Sequence, residues 1–313
     1  MGKVWSIQYL RAFAALAVVL YHLGEKAGHP FKIGAAGVDL FFVISGFIMW
    51  MISESDRPVP FWAHRAWRII PMYWIVTALL FAKHVHDHQS PGVGRLLLSL
   101  AFIPHLDDHG QLFPILVPGW TLNFEMFFYL VFGFCLFAPR RRQLPILTVA
   151  LGAFVLLGAV TASPLQYPLL LEFLAGAWLC EAWRRGWLKH GVVPIAAGVV
   201  LFALGRLAPY SEAMRPLLWG LPAFLVVAGC VALEPKLPKW KPLRFLGDAS
   251  YSIYLTHGLV IGLLWSRLGW AAGLVAIAAG AAVYVGLERP LHRRFSSGAR
   301  KAKQGPADTI PGT

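Results

Sequence analysis

Charge is scarce in this chain. Asp, Glu, Lys and Arg make up 14% of its 313 residues, against 58% hydrophobic. Soluble domains carry about a quarter charged residues, so a soluble fold of this length is excluded. Acid is scarcer than base, 15 residues to 28, which leaves a formal net charge of +13. In a soluble protein such an excess would suggest nucleic acid. Here the basic residues fall between apolar runs, so they read as loops facing the cytoplasm and no nucleic-acid partner is expected. Cys135, Cys180 and Cys230 are the only cysteines, and each lies inside an apolar run. That argues against a disulfide framework and against a thiolate metal site. No small-residue cleavage site follows the first apolar run, so that run is expected to be a retained span rather than a signal peptide. There is no internal repeat and no low-complexity segment. The polar tail 293–313 is expected to be disordered, and residues 1–292 to form one transmembrane domain.

Long apolar runs are what the chain has in abundance. They fall near 4–24, 35–53, 68–83, 118–138, 144–162, 167–183, 191–207, 215–233, 249–267 and 270–287. The expected fold is therefore an all-α membrane protein with about ten transmembrane helices in one bundle. An eleventh stretch, 96–106, is about half the length a span needs and contains Pro104, so it reads as re-entrant or interfacial. After residue 138, Lys and Arg concentrate in the loops 139–142, 184–189 and 236–244 and in the tail from Arg289. The intervening loops hold only Arg206, Arg215 and Arg267. The positive-inside rule then places the C terminus in the cytoplasm, and ten spans put the N terminus there too. The first half has no such bias; if 96–106 were a true span, its orientation would invert.

Ionisable side chains inside spans are expensive, so each one is a functional candidate. In "LRAFAALAVVLYHLG", Arg11 and His22 are eleven residues apart. At 100° per residue that is about 20° past three turns, so both share one helix face, about 16 Å apart in depth. They could mark two levels of one polar channel; snorkelling to the two interfaces is the plainer alternative. Asp39 in "GVDLFFVISGF" sits at a depth similar to His22 and is a candidate to orient its imidazole, or else a salt-bridge partner or helix cap. Arg65 and Arg68 in "HRAWR" project from one face at the inner mouth of the third span, suited to phosphate or to simple anchoring. Glu125 in "PGWTLNFEMFFY" is a carboxylate in the fourth span, with Trp120 and Asn123 offering aromatic and polar surface of the kind that lines sugar sites. "LGDASYSIYLTH" makes the ninth span polar, with Tyr254 and His257 as candidate cavity residues, His257 being equally readable as a satisfied interhelical hydrogen-bonding group. Glu288 beside Arg289 in "LERP" reads as a local ion-pair cap. "HVHDHQ" (84–89) offers alternating histidines but no fixed fourth ligand, so no metal is expected.

These motifs, in this order over residues 5–292, resemble the membrane acyltransferase-3 family of bacterial envelope-modifying enzymes, and the start "SIQYLRAFAALAVVLYH" is similar to its exopolysaccharide-acylating branch. The resemblance implies a ten-helix core in the bacterial inner membrane. It implies transfer of an acyl group, usually acetyl, from cytoplasmic acyl-CoA to a sugar hydroxyl of an exopolysaccharide or other envelope glycan, alongside polysaccharide biosynthesis machinery. His22 matches the family's motif histidine, which implies a general base or transient acyl carrier. Arg11, Arg65 and Arg68 match arginines linked to the CoA donor, and Glu125 matches the acidic residue of the Trp-(Ser/Thr)-Leu-x-x-Glu motif, with Thr121 where serine is common.

The residues alone leave two other readings open. Intramembrane His, Arg, Asp and Glu also suit a proton-coupled exporter of a glycan or lipid-linked sugar, although that class favours repeated halves with broken helices. A non-catalytic glycan-binding subunit is the third. On the acyltransferase reading, both roles of His22 need a neutral imidazole. Activity is therefore expected to fall as acid protonates His22, and a transfer rate that stays flat under those conditions would count against it.

Overall fold

The computed structural model describes residues 4–293 apart from 30, 55, 162–164, 166, 206 and 209–210. The tail 294–313, expected to be disordered, lies outside the described residues. Within them the chain is helical, with no strand. Eleven α-helices follow in order: α1 Trp5–Lys26, α2 Gly37–Ile52, α3 Pro58–His86, α4 Val93–Leu100, α5 Gly119–Cys135, α6 Arg140–Val160, α7 Leu170–Arg184, α8 Val192–Gly205, α9 Leu221–Ala232, α10 Lys241–Leu268 and α11 Ala271–Val283. A π-turn, Pro216–Gly220, leads into α9, and another, Tyr284–Glu288, continues α11.

Each of the ten apolar runs is helical. By length and composition, five stretches suffice to cross a membrane: Trp5–Lys26, Lys32–Ile52, Pro58–His86, Arg140–Val160 and Ala271–Arg293. The run at 96–106 gives only the eight-residue α4, which is too short to cross. Instead, α4 and the loop after it pack on α3. Tyr73 Oη donates to the Ser99 carbonyl at 3.1 Å, and the Ile115 amide donates to Ser99 Oγ at 3.1 Å. That seats the start of α5. Helix α3 begins earlier than the hydropathy suggests, with Pro58 and Pro60 in its first turn, where a missing N–H is harmless. Arg65 and Arg68 therefore lie two turns inside a helix rather than at its mouth.

The bundle is apolar on its outer surface as well as through most of its core, and it buries a set of polar groups among its helices. Outward faces carry Leu79, Val149, Leu156, Val160, Val199 and Leu274, while Asp39, Glu172, Arg215, Ser250, Ser252, His257 and Glu288 are buried. With no water in a bilayer core, polar groups can only be satisfied by neighbouring helices. Helix α8 buries Gly198 alone, so it is a peripheral helix held mainly against α9.

Glycines set the closest crossings. A Cβ on Gly46 would lie 1.9 Å from the Phe173 carbonyl oxygen, and one on Gly176 would lie 1.9 Å from that of Val43. Helices α2 and α7 thus meet backbone to backbone, the small-residue contact that drives helix association without a hydrophobic effect. The pair runs parallel, since Asp39 is level with Glu172 and Trp50 Nε1 donates to Glu181 at 2.9 Å. Helices α1 and α10 are also parallel: Gly247 abuts Gln8, Arg11 bonds Ser250, and His22 meets His257. Helices α3 and α5 are antiparallel, with Gly119 against Tyr73 and Gly133 against Trp62.

Gly176→Val is expected to force α2 and α7 apart and to lose about 1–3 kcal/mol or more through overpacking, read as a lower melting temperature and a smaller monodisperse fraction in detergent. Gly152→Ala, with nothing within 4 Å of the new methyl group, is the control expected to behave as wild type.

Candidate active site

A cavity of about 90 Å³ opens between α1, α2, α3, α5 and α10. Its polar lining is Arg11, Ser45, Arg65, Arg68, Thr121, Glu125, Tyr129, Ser250, Tyr251 and Tyr254. Five of the residues singled out in the sequence (Arg11, Arg65, Arg68, Glu125 and Tyr254) therefore come together from four helices. Arg11 is buried and donates through Nε to Ser250 Oγ at 3.2 Å. Arg65 Nη1 reaches only the Met49 sulfur, at 3.9 Å, and its Nε is buried without a partner. Neither these two nor Arg68 forms an ion pair among the described residues. Glu125 is the one carboxylate lining the cavity, and it is held by hydroxyls: Ser45 Oγ donates at 3.1 Å and Tyr129 Oη donates to the same oxygen. Three guanidiniums around one carboxylate leave a positive, partly dehydrated chamber, which is a setting for an anionic ligand.

His22 lies outside this lining, at the far end of α1. Its Nδ1 is 2.9 Å from the Val18 carbonyl and 3.3 Å from His257 Nε2. Arg11 and His22 both meet α10, so they do share one face. Tyr254 lines the cavity, and its ring centroid is 5.9 Å from that of His257, so one side chain stands between the chamber and the histidine pair. The Tyr254 hydroxyl is tied to Thr121 Oγ1 at 3.0 Å and donates to the Pro118 carbonyl at 3.2 Å.

Four of the candidate roles do not match the geometry, those of Asp39, Trp120, His257 and Asn123; for Asp39 a salt bridge, and for His257 an interhelical contact, is what forms instead. Asp39 does not orient His22. Both its oxygens accept from Arg215, from Nε and Nη2 at 3.1 Å each, and it is fully buried. The reason is that Arg215, counted in the sequence as a loop charge, folds inward and stacks on Trp120 and Trp219 at 5.3 and 5.0 Å. Trp120 is accordingly occupied by that guanidinium and by Phe42 and Phe124, rather than presented to a ligand. His257 does not face the cavity. It is fully buried, with Nδ1 on the Tyr254 carbonyl at 2.7 Å and Nε2 on His22. Asn123 is half-buried off the cavity lining, and its buried Oδ1 has no partner.

Several residues escaped the sequence reading. Glu172 lies against Asp39 and Arg215, and Gly220 in the π-turn makes room for it, since a Cβ there would lie 2.6 Å from Glu172 Oε1. An acid inside the apolar run 167–183 was the available signal. Glu288 is not an exposed cap: it is buried and accepts from Ser252 Oγ at 2.5 Å. It sits in the π-turn after α11, a helix irregularity that often accompanies functional sites. Ser45 and Tyr129 lie within the stretches around Asp39 and Glu125, but nothing local links the two. Only the fold shows that they hold Glu125.

Residues 4–287 match the family described as the acyltransferase domain. Among similar proteins, "Exopolysaccharide production protein ExoZ" of Rhizobium meliloti is 43% identical, over 88% of this chain and 95% of its own length. "Peptidoglycan O-acetyltransferase OatA" of Listeria monocytogenes is 27% identical over 82% of this chain and 49% of its own, so this chain spans about half of that protein. "Putative membrane-bound transacylase BcsY" of Komagataeibacter xylinus is 27% identical over 87% of this chain and 78% of its own. No solved structure matches the chain. With the family matched along nearly its whole length and O-acetyltransferases among its relatives, the chain belongs to the acyltransferase-3 family and is a membrane acyltransferase.

Proposed function

We propose that this protein moves a short acyl group, acetyl in the first instance, from cytoplasmic acyl-CoA to a sugar hydroxyl of an exopolysaccharide or related envelope glycan, across the bacterial inner membrane. The observation that carries this reading is the chamber with three unpaired guanidiniums and a hydroxyl-held carboxylate, one side chain away from a paired histidine. Acyl-CoA is polyanionic at its nucleotide end and slim at its thioester arm. Arg65 and Arg68 are placed to meet phosphate oxygens, and Arg11 lies beside Ser250 deeper in. The acyl end of the donor would lie beyond these phosphate contacts, toward α10. Tyr254 stands where that end must pass to reach His22.

The chemistry assigned to His22 is that of a general base. It takes the proton of the sugar hydroxyl as oxygen attacks the thioester carbon; the new C–O bond forms, the C–S bond breaks, and the proton passes to the departing thiolate. Attack by His22 itself, with an acyl-imidazole handed on to the sugar, uses the same residues. Glu125, held at one oxygen, is placed to hydrogen-bond an incoming hydroxyl or to balance the arginines.

The topology proposed with this function is ten spans with both termini cytoplasmic. Parallel packing of α1 and α10 supports an even number of crossings between their starts, as given by α1 to α3 and α5 to α9 with α4 left out. The exopolysaccharide relative supports a polysaccharide acceptor and a place beside polymer-making machinery in the inner membrane. The exporter reading has no observation in its favour beyond the buried charges that the acyltransferase reading also uses.

With purified protein, radiolabelled acetyl-CoA and candidate glycans, His22→Ala is expected to lower transfer by about 10²–10⁴-fold, the usual worth of a positioned base, and Arg11→Ala to abolish donor use. Wild-type transfer by both variants would sink the assignment. Arg68→Ala is expected to raise KM for acetyl-CoA with a smaller change in kcat, since it is assigned to binding alone. Asp39→Asn should break the buried ion pair with Arg215, leaving Glu172 as the neighbouring acid, and is expected to destabilise the fold. Its signature is therefore lost folded protein with near-normal turnover per folded molecule; normal yield with lost turnover would return Asp39 to the chemistry. Comparing glycan mass in a deletion strain names the acyl group and the acceptor together.

A further inference from the structure

The histidine pair carries more information than proximity. A carbonyl oxygen can only accept a hydrogen bond. His257 Nδ1 is 2.7 Å from the Tyr254 carbonyl, so that nitrogen carries a proton, and in a neutral ring the Nε2 lone pair is then free to accept. His22 Nδ1 is 2.9 Å from the Val18 carbonyl, so it too is protonated. The same N–H has His257 Nε2 as a second acceptor at 3.3 Å, a shared donor of the kind common in helices. His22 Nε2 is then the unprotonated nitrogen, and it has no hydrogen-bond partner among the described residues. The ring is also clamped: the Tyr21 ring stands edge-on at 4.9 Å and the His257 ring at 4.8 Å, at 86° and 63°.

We propose that His257 is the positioning residue for His22: its Nε2 lone pair accepts from His22 Nδ1–H, fixing the ring's orientation and tautomer and leaving His22 Nε2 as the base that faces the reacting hydroxyl. This rests on His22 being the base in the reading above. The role is the one an aspartate holds in a hydrolase triad, filled here by a neutral ring. Asp39, the nearest candidate by sequence, is unavailable because both its oxygens are committed to Arg215. A neutral acceptor also avoids adding an unpaired anion to a buried helix interface. When His22 takes up the substrate proton, its Nδ1–H becomes the donor of a charge-assisted bond to His257, which is stronger than in the resting state. The contact therefore favours the transition state over the ground state and belongs in kcat rather than in donor binding.

The test uses the full-length protein in lipid nanodiscs with radiolabelled acetyl-CoA and an alkali-deacetylated exopolysaccharide. His257→Leu removes the acceptor, and His257→Gln places a carbonyl oxygen close to where Nε2 stood. The expected result is a kcat about 10–100-fold lower for H257L, the worth of one hydrogen bond to a charged group, at unchanged KM for acetyl-CoA, with most of the loss recovered in H257Q. Wild-type kcat in H257L overturns the proposal, as does an H257Q that fares no better than H257L. If H22A itself keeps wild-type transfer, the base reading fails first; if H22A is inactive and H257L is normal, only the positioning role fails. Should either His257 variant not fold, ¹⁵N-histidine NMR of the wild-type protein decides the matter, with H22A subtracted for assignment. His257 is expected with Nδ1 protonated and Nε2 bare, and His22 likewise. A protonated Nε2 on neutral His257 removes the acceptor and overturns the proposal.

Discussion

Guanidiniums do not lose their charge in a protein, and a bilayer offers them no water. Arg11, Arg65 and Arg68 face one cavity lined by a single carboxylate, so the fold must enclose a cluster of like charges, offset in part by Glu288 and Asp248 nearby, inside a shell whose outer surface is Leu, Val and Phe. Everything else follows from that constraint. The chamber must be walled by several helices at once. Its hydroxyl lining (Ser45, Tyr129, Ser250, Tyr251) replaces part of the lost hydration without adding opposing charge. Of the other buried carboxylates, Asp39 is paired with Arg215, while Glu288, bonded to Ser252, lies close enough to act on Arg11 and Arg68. Like charges gathered this way favour an anionic ligand, which is the electrostatic support for the proposed phosphate-bearing donor.

Holding such a chamber at fixed shape needs helices that cannot slide. Backbone contact at Gly46 and Gly176 locks α2 to α7, and Gly247 locks α10 to α1. The first carries Ser45 on one side and places Asp39 level with Glu172 on the other. The second sets the register in which Arg11 meets Ser250 and His22 meets His257. A shift of α10 by one residue would turn both partners off the α1 face, so one close crossing positions donor-side and acceptor-side chemistry together. The peripheral helix α8, with one buried residue, has no such duty and is free to be almost purely apolar.

Much of this was legible in the residues. The apolar runs located the helices, and the three-turn spacing of Arg11 and His22 put them on a common face, which the structure turns toward α10. Arg65, Arg68 and Glu125 stood out as charges that a span should not contain. What stayed hidden depended on distance along the chain. Arg215 read as a loop charge because nothing local reveals that the chain just before the π-turn directs it inward to Asp39, 176 residues away. Depth alone made Asp39 look like the partner of His22, yet depth is shared by every residue at that level, and only the helix order decides which are neighbours. Ser45 and Tyr129 are ordinary in sequence and acquire meaning only beside Glu125.

The choice of histidine over aspartate as the partner of His22 follows from the same scarcity of water. An aspartate in that place would bind the resting imidazole strongly and would itself need a counterion, drawing on the arginines that the donor requires. A second neutral imidazole makes only a modest contact at rest and a stronger one after proton uptake. In the proposed reaction the base would thus be stabilised where charge appears, while the positive field further along α1 would be left for the donor. Arg11 and His22 can then work from one helix face without a fixed anion between them.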